Sequence, residues 1–246
     1  MFTFAALPGP WSQICQLLLL IVAALCMAGF LFNRYDATRI GRLPKPLQLP
    51  QTFLLALVTV IVWLSGARDS AFGSLAGLIG AGMCCGFIGD LFLANVFKLR
   101  RTVEFGMAIF AIGHVCYMLA FREIALHYAL VNLSLYALAL AVTWLSALGL
   151  WVLLVRDPGG SPLQFVALGY ALFLASMSGF ALGLALQQPE FVPLAIGAIL
   201  FLLSDTLIAA RLFSGRSFPF MGDVIWLTYI VAQVLIVLVV PLVLLP

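Results

Sequence analysis

Long apolar stretches, separated by short clusters of Arg, Lys, Pro and Gly, recur along the whole sequence. Most of them hold about 20 residues, which as a helix crosses the roughly 30 Å of hydrocarbon in a bilayer. The apolar–polar alternation of strands is absent, and a segment within lipid must satisfy its own backbone hydrogen bonds. Only 9% of the 246 residues are charged, whereas a soluble domain carries about a quarter. The sequence therefore predicts an all-α, polytopic membrane bundle.

Eight spans are predicted. They form one integral-membrane domain over residues 1–246, because no connecting stretch is long enough to fold as a separate soluble domain. The spans are placed at residues 12–32, 50–66, 71–97, 103–121, 129–154, 163–186, 191–211 and 223–245.

The distribution of Lys and Arg supports this count, because cytoplasmic loops are enriched in these residues. Only Arg68 and Arg122 of the 12 fall in even-numbered loops. The odd-numbered loops hold Arg34, Arg39, Arg42, Lys45, Lys98, Arg100, Arg101, Arg156, Arg211 and Arg216. Eight spans with both termini outside fit this asymmetry. The net charge of +3 then reflects topology, so no nucleic-acid partner is expected. The predicted location is the cell membrane, which in a Gram-negative bacterium is the inner membrane.

Two acidic residues, Asp90 and Asp205, have apolar sequence on both sides. A charged side chain in hydrocarbon costs several kcal/mol, so such residues are rare without a role. Eight residues, or ~12 Å of helix, separate Asp90 from Lys98, and six, or ~9 Å, separate Asp205 from Arg211. Both carboxyls are therefore predicted at similar depth in the cytoplasmic half of the membrane.

The third span also indicates where Asp90 points. Gly82, Gly86 and Asp90 follow one another at four-residue intervals and so share one helix face. A face of small residues packs closely against neighbouring helices. The Asp90 carboxyl is therefore expected inside the bundle.

Other polar side chains within the spans are predicted to line one narrow cavity with these acids. They are His114, Tyr117, Tyr229 and Gln233. Ser204 is expected to donate a hydrogen bond to the neighbouring Asp205 carboxylate. The alternative for a single His, Tyr or Gln in a span is a hydrogen bond between helices. Asp223 is interpreted as a helix-terminal or N-cap acid.

Several chemistries are excluded. Only His114 and His127 could supply imidazole ligands, so no three-histidine zinc site is possible, and no metal or other cofactor is predicted. The sequence contains no nucleophile-elbow, phosphate-loop or dinucleotide motif. Two carboxyls at low dielectric suit acid–base hydrolysis of acetal-like bonds. They equally suit a proton-coupled transporter, and a non-catalytic scaffold is a third possibility. The residues alone do not choose among these.

Short segments at five positions add a resemblance. They are Lys45-Pro46-Leu47, Gly89-Asp90, Gly113-His114 with Tyr117 and Phe121, Phe201 to Asp205 (FLLSD), and Tyr229 with Ala232-Gln233. In this order, over roughly residues 40 to 235, they resemble the YhhN family of eight-span membrane proteins, the lysoplasmalogenases. The family usually has Thr where this chain has Gln48.

The resemblance implies an activity and a site. Family members hydrolyse the vinyl ether bond of lysoplasmalogens, a class of lysophospholipid within the membrane, to a fatty aldehyde and glycerophosphoethanolamine or glycerophosphocholine. By position, Asp90 and Asp205 would be the catalytic acid and base, in either order. The implied substrate-binding residues are Lys45, which would meet the lipid phosphate, and His114, Tyr117, Ser204, Tyr229 and Gln233.

Overall fold

A computed structural model describes residue 4 and residues 7–34, 41–159 and 162–244. Within these ranges the ordered elements are all helical. They are α1 (Trp11–Phe32), α2 (Lys45–Val62), α3 (Gly73–Leu93), α4 (Thr102–His127), α5 (Leu133–Leu150), α6 (Leu163–Gln187), α7 (Val192–Ser214), α8 (Met221–Val237) and α9 (Val239–Leu244), the last continuing α8.

Eight of these segments are long and apolar enough to cross a membrane, as the sequence predicts. The orientation of the termini stays a prediction, and Arg39, which contributes to it, lies outside the described residues, as does the predicted end of span eight at residue 245.

The second and fifth spans end alike. Each continues beyond its α-helix as a five-residue π-helical turn, Trp63–Ala67 after α2 and Trp151–Val155 after α5. The indole N–H of the first residue of each turn donates to a backbone carbonyl at the start of the next helix. Trp63 bonds to the carbonyl of Gly73 at 3.1 Å, and Trp151 to that of Gln164 at 2.8 Å. These bonds fix the direction in which the chain re-enters the bundle.

The seventh and eighth spans form the centre of the bundle. In their most apolar stretches 56% and 61% of the residues are buried inside the protein, against 22% in α1. α7 packs against α6 and α8, while α1 packs chiefly against α2 at the periphery. The most buried helices thus include the one that carries Asp205.

Glycines bring α3 and α4 into close contact. A Cβ atom on Gly113 of α4 would lie 3.0 Å from the backbone oxygen of Gly82 on α3. A Cβ on Gly89 would lie 2.6 Å from the Phe110 ring. This close approach is the packing that small residues permit in membrane bundles.

Four predicted span ends are wrong by four or more residues, among them the start of the fifth span, which begins at Leu133 instead of residue 129. The second span begins at Lys45 instead of residue 50, since Pro46 lies in the first helical turn, where the missing N–H costs little. The third ends at Leu93 instead of residue 97, because the backbone turns through positive φ at Asn95 and Lys98. The fourth continues to His127 instead of residue 121. Asp90 therefore lies about one turn from the end of α3, nearer to it than predicted.

Candidate active site

A cavity of about 580 Å³ opens among the helices, and both Asp90 and Asp205 line it. Its other lining residues come largely from the ends of helices that adjoin the first, third, fifth and seventh loops. These are the loops in which the sequence places most Lys and Arg residues. The two acids from distant parts of the chain therefore meet in one protein-lined chamber.

The Asp90 carboxyl terminates a chain of hydrogen bonds across three helices. Tyr117 of α4 donates its hydroxyl proton to Oε1 of Gln233 at 3.0 Å. Nε2 of Gln233 donates to the hydroxyl of Tyr229, one turn earlier on α8, at 3.2 Å. The Tyr229 hydroxyl donates to Oδ2 of Asp90 on α3 at 2.9 Å. Thr52 of α2 also lies beside this carboxyl.

Glycines on α3 make room for this chain. A Cβ on Gly86 would lie 2.8 Å from Nε2 of Gln233, and one on Gly82 would lie 2.4 Å from the Tyr117 ring. Side chains at either position would displace the groups that lead to Asp90. The face predicted from the four-residue spacing is thus the face that meets the polar groups of α4 and α8.

The Asp205 carboxyl terminates a second chain. Tyr170 of α6 donates to Oδ2 of Asp205 at 2.6 Å, and Nε2 of His114 lies 3.1 Å from the same hydroxyl. His114 is 1% exposed, and its Nδ1 has no hydrogen-bond partner among the described residues. Because the Tyr170 proton points to the carboxyl, the Tyr170 oxygen is free to accept, which places the imidazole proton on Nε2.

An aromatic ring separates the two chains. Phe201, one helical turn before Asp205 on α7, makes edge contacts with His114, at a centroid distance of 4.9 Å, and with Tyr229, at 5.3 Å. Among the described residues no hydrogen bond joins the two chains, and their nearest ring contact is between His114 and Tyr117, at a centroid distance of 6.4 Å. Each carboxyl consequently has its own tyrosine.

Tyr170 was missed in the prediction from sequence, as was Thr52 beside Asp90. The residues three and four positions away on either side of Tyr170 are apolar, so no polar face marks it. Depth was the available signal. Tyr170 lies seven residues, or ~10 Å, from the start of α6, and Asp205 lies nine residues, or ~13 Å, from the end of α7, both on the side of the odd-numbered loops.

The predicted substrate-binding residues divide into two groups. Lys45, Ser204 and Tyr229 line the cavity. His114, Tyr117 and Gln233 were expected to line it but lie behind its wall. His114 contacts the Tyr170 hydroxyl, and Gln233 contacts the Tyr229 hydroxyl. Tyr117 reaches Tyr229 only through Gln233.

The expected hydrogen bond from Ser204 to Asp205 is not formed. The Ser204 hydroxyl donates to the backbone carbonyl of Ile225 on α8 at 3.1 Å. Consecutive residues on a helix point about 100° apart, so the two side chains face different neighbours. Tyr170 occupies the position predicted for the serine hydroxyl.

Cationic groups lie at the loop side of the cavity. Lys45 and Arg211 both line it and are exposed, and Nζ of Lys45 donates to the carbonyl of Ala94 at 3.3 Å. Asp223, in the first turn of α8 as predicted, forms an ion pair with Arg42. Within the described ranges, no three His, Cys, Asp or Glu residues are grouped closely enough to hold a metal ion.

These features define a multi-pass helical membrane protein with two carboxyls in a chamber inside the bundle. The chain belongs to the YhhN family, whose model matches residues 49–240, most of the sequence. No solved structure matches the chain.

Proposed function

We propose that the protein is a membrane hydrolase that cleaves the vinyl ether bond of lysoplasmalogens, in keeping with the activity implied by its family resemblance. The observation that carries this proposal is that Asp90 and Asp205 line the same cavity, each held by a tyrosine hydroxyl. The products would be a fatty aldehyde and a glycerophosphoethanolamine or glycerophosphocholine.

The reaction needs a proton donor near the β-carbon of the vinyl ether and a proton acceptor for the water that attacks the α-carbon. A carboxylic acid gives its proton to the β-carbon of the vinyl ether, which leaves an oxocarbenium ion. The other carboxylate takes a proton from water as the water oxygen bonds to the α-carbon, forming a hemiacetal. In its collapse, the first carboxylate takes the hydroxyl proton and the second carboxyl protonates the leaving oxygen. Aldehyde and alcohol result, and both carboxyls regain their starting protonation.

The distribution of polarity in the cavity fits a single-chain phospholipid. Its walls are largely apolar, including Phe110, Leu174 and Leu202, and suit an alkenyl chain. Lys45 and Arg211 at the loop side would hold the phosphate, because both present N–H donors with positive charge. Seven bonds of ~1.5 Å separate phosphorus from the vinyl β-carbon, and bond angles of about 111° shorten the extended reach to roughly 9 Å. Asp205 and Arg211 are six positions apart, which corresponds to ~9 Å of helix.

A proton-coupled transporter is less well supported. Transporter sites are typically built at breaks in helices near the middle of the membrane. Asp90 and Asp205 both lie in uninterrupted stretches of α3 and α7, and the π-helical turns lie at the ends of other spans. Nothing at the acids themselves resembles the unwound segments of such sites.

The test uses purified protein and two matched lysophospholipids, one with a vinyl ether chain and one with the corresponding saturated ether. We expect release of aldehyde from the vinyl ether alone. Asp90→Asn and Asp205→Asn should abolish it, whereas Asp69→Asn, at a fully exposed acid, should not. Failure of the wild-type protein to release aldehyde, while a pH gradient drives solute uptake into proteoliposomes, would reject hydrolysis in favour of transport.

A further inference from the structure

Three residues that the sequence suggested as substrate contacts lie behind the cavity wall; they are His114, Tyr117 and Gln233. Tyr170, which the sequence did not suggest, lines the cavity. We propose that Tyr170 and Tyr229 are positioning residues, each fixing one carboxyl, and that His114 and the Gln233–Tyr117 pair orient these hydroxyls. This inference rests on the proposed function for its kinetic consequences only. Its structural part, a directed hydrogen-bond chain behind each acid, can be tested without any substrate.

The direction of the Asp90 chain follows from the polarity of its members. Gln233 is fully buried and has one oxygen and one N–H₂ group within this chain. With its oxygen taking the Tyr117 proton, its nitrogen donates to Tyr229, whose own proton is left for Asp90. The opposite amide orientation would turn the Tyr229 proton towards Gln233 and leave Tyr117 only the sulfur of Met83, at 3.9 Å. A thioether is a weak acceptor, so the first orientation is preferred.

The direction of the Asp205 chain follows from the short bond at its end. The 2.6 Å separation between Tyr170 and Asp205 is in the range of an O–H···O⁻ bond. His114 then donates through Nε2 to the Tyr170 oxygen. Its Nδ1 keeps an unpaired lone pair, since none of the described residues reaches it. A buried acceptor without a partner is less unusual than a buried N–H without one.

Each hydrogen-bond chain ends at one oxygen of its own carboxyl, Oδ2 of Asp90 or Oδ2 of Asp205. For Asp205, Oδ1 has no hydrogen-bond partner in the described part of the chain, and the residue lines the cavity. That oxygen is the one available to the substrate or to water. A carboxyl held through one oxygen, with the other oxygen left to exchange a proton, is pre-organised for proton transfer. Such positioning matters because misplacement by about 1 Å can lower the rate about 100-fold.

The kinetic test replaces each tyrosine by phenylalanine. We expect Tyr170→Phe and Tyr229→Phe each to lower kcat by about 10- to 1000-fold, as loss of a directed donor does, with KM changed less than about threefold. Tyr136→Phe is the matched control, since its hydroxyl bonds to the Leu130 carbonyl away from the cavity. A rise in KM with unchanged kcat would mean that these residues bind the head group, and would overturn the proposal.

The pH–rate profile separates positioning from general loss of structure. A carboxyl that acts as an acid governs the alkaline limb, where it loses its proton, and one that acts as a base governs the acidic limb. The two tyrosine variants should therefore move opposite limbs, which also identifies the acid and the base. Movement of the same limb by both would contradict the assignment of one tyrosine to each acid. The titratable groups that line the cavity are Lys45 on α2, Asp90 on α3, Tyr170 on α6, Asp205 and Arg211 on α7, and Asp223 and Tyr229 on α8.

Two further tests probe the hydrogen-bond chain behind Asp205, the first by activity and the second without any substrate. His114→Gln keeps an N–H donor within reach of Tyr170 and should retain more activity than His114→Phe. Thermal unfolding in detergent should show non-additive midpoint shifts when Tyr170→Phe is combined with Asp205→Asn. Combination of Tyr170→Phe with Asp90→Asn should show a smaller coupling, because no hydrogen bond among the described residues joins the two chains and Phe201 lies between them. Additivity in the first pair would refute the chain even if the protein cleaves no vinyl ether.

Discussion

Asp223 at the start of α8 holds Arg42 of the first loop by two contacts, although 181 positions separate them. Its Oδ1 accepts the Arg42 backbone N–H at 2.6 Å, and its Oδ2 lies 3.2 Å from Nε of the guanidinium. Gly41, Leu43 and Pro44, next to this contact, line the cavity. The pair therefore ties one wall of the cavity mouth to the central helix α8.

Replacement of Asp223 should destabilise the cavity wall that its contact with Arg42 holds in place. Asp223→Asn keeps the size of the side chain but removes its charge, and a hydrogen bond to a charged group contributes about 1.5–3 kcal/mol. Arg42 is partly exposed, so we expect a loss near the lower end of that range, with a raised KM. Thermal unfolding in detergent measures the first effect. Asp69→Asn, which changes an exposed acid on another loop, is the control, and an equal loss of stability in both variants would contradict the account.

A larger side chain on the glycine face of α3 should disrupt the hydrogen-bond chain that ends at Asp90. Gly82→Ala places a Cβ 2.4 Å from the Tyr117 ring, so the ring must shift and its bond to Gln233 weakens. We expect lower stability and a lower kcat. Gly149→Ala in α5 is matched to it, because no described atom outside its own helix neighbourhood lies within 4 Å of the new Cβ. Alanine there should be neutral or stabilise the helix by up to about 1 kcal/mol. Equal effects at the two glycines would argue against close packing at Gly82.

The cations at the mouth should act on binding. Lys45→Gln and Arg211→Gln each remove one positive group from the cavity lining, and we expect KM for a lysophospholipid to rise about 3- to 30-fold at constant kcat, since 1.4 kcal/mol corresponds to tenfold. Arg100→Gln removes a charge from the same side of the bundle without touching the cavity. For a vinyl ether of glycerol that lacks phosphate, the same variants should match the wild type. A comparable change with that neutral substrate would show that the two residues do not bind phosphate.

The sequence allowed prediction of the spans and of the two acids, because hydrophobic length and the cost of a buried charge are local properties. It also placed Asp90 on the glycine face, since the four-residue period is a property of one helix. The partners of each acid could not be derived in this way. Tyr170 and Asp205 belong to different helices, and only their packing decides that Tyr170, instead of the adjacent Ser204, reaches the carboxyl.

The prediction that all the polar span residues line one cavity did not separate lining from supporting residues, although their depths differ. His114, Gln233 and Tyr229 are all polar residues within spans, yet only Tyr229 reaches the cavity surface. Gln233 lies one turn further into α8 than Tyr229, and Phe201 fills the space between the two hydrogen-bond chains. The position of Phe201 depends on how the helices pack and is not encoded in the spacing of polar residues on one helix.

Asp90 and Asp205 are proposed to act together on one bond. The most direct measurement is the rate of aldehyde release by the purified Asp90→Asn and Asp205→Asn variants and by the variant carrying both changes, with correct folding checked by thermal unfolding. Residues that act as a unit are strongly non-additive, so each single change should cost nearly as much as the double change, about 100-fold or more. If the losses of the single variants multiply in the double variant, or if either single variant keeps the wild-type rate, the two acids do not share one catalytic cycle.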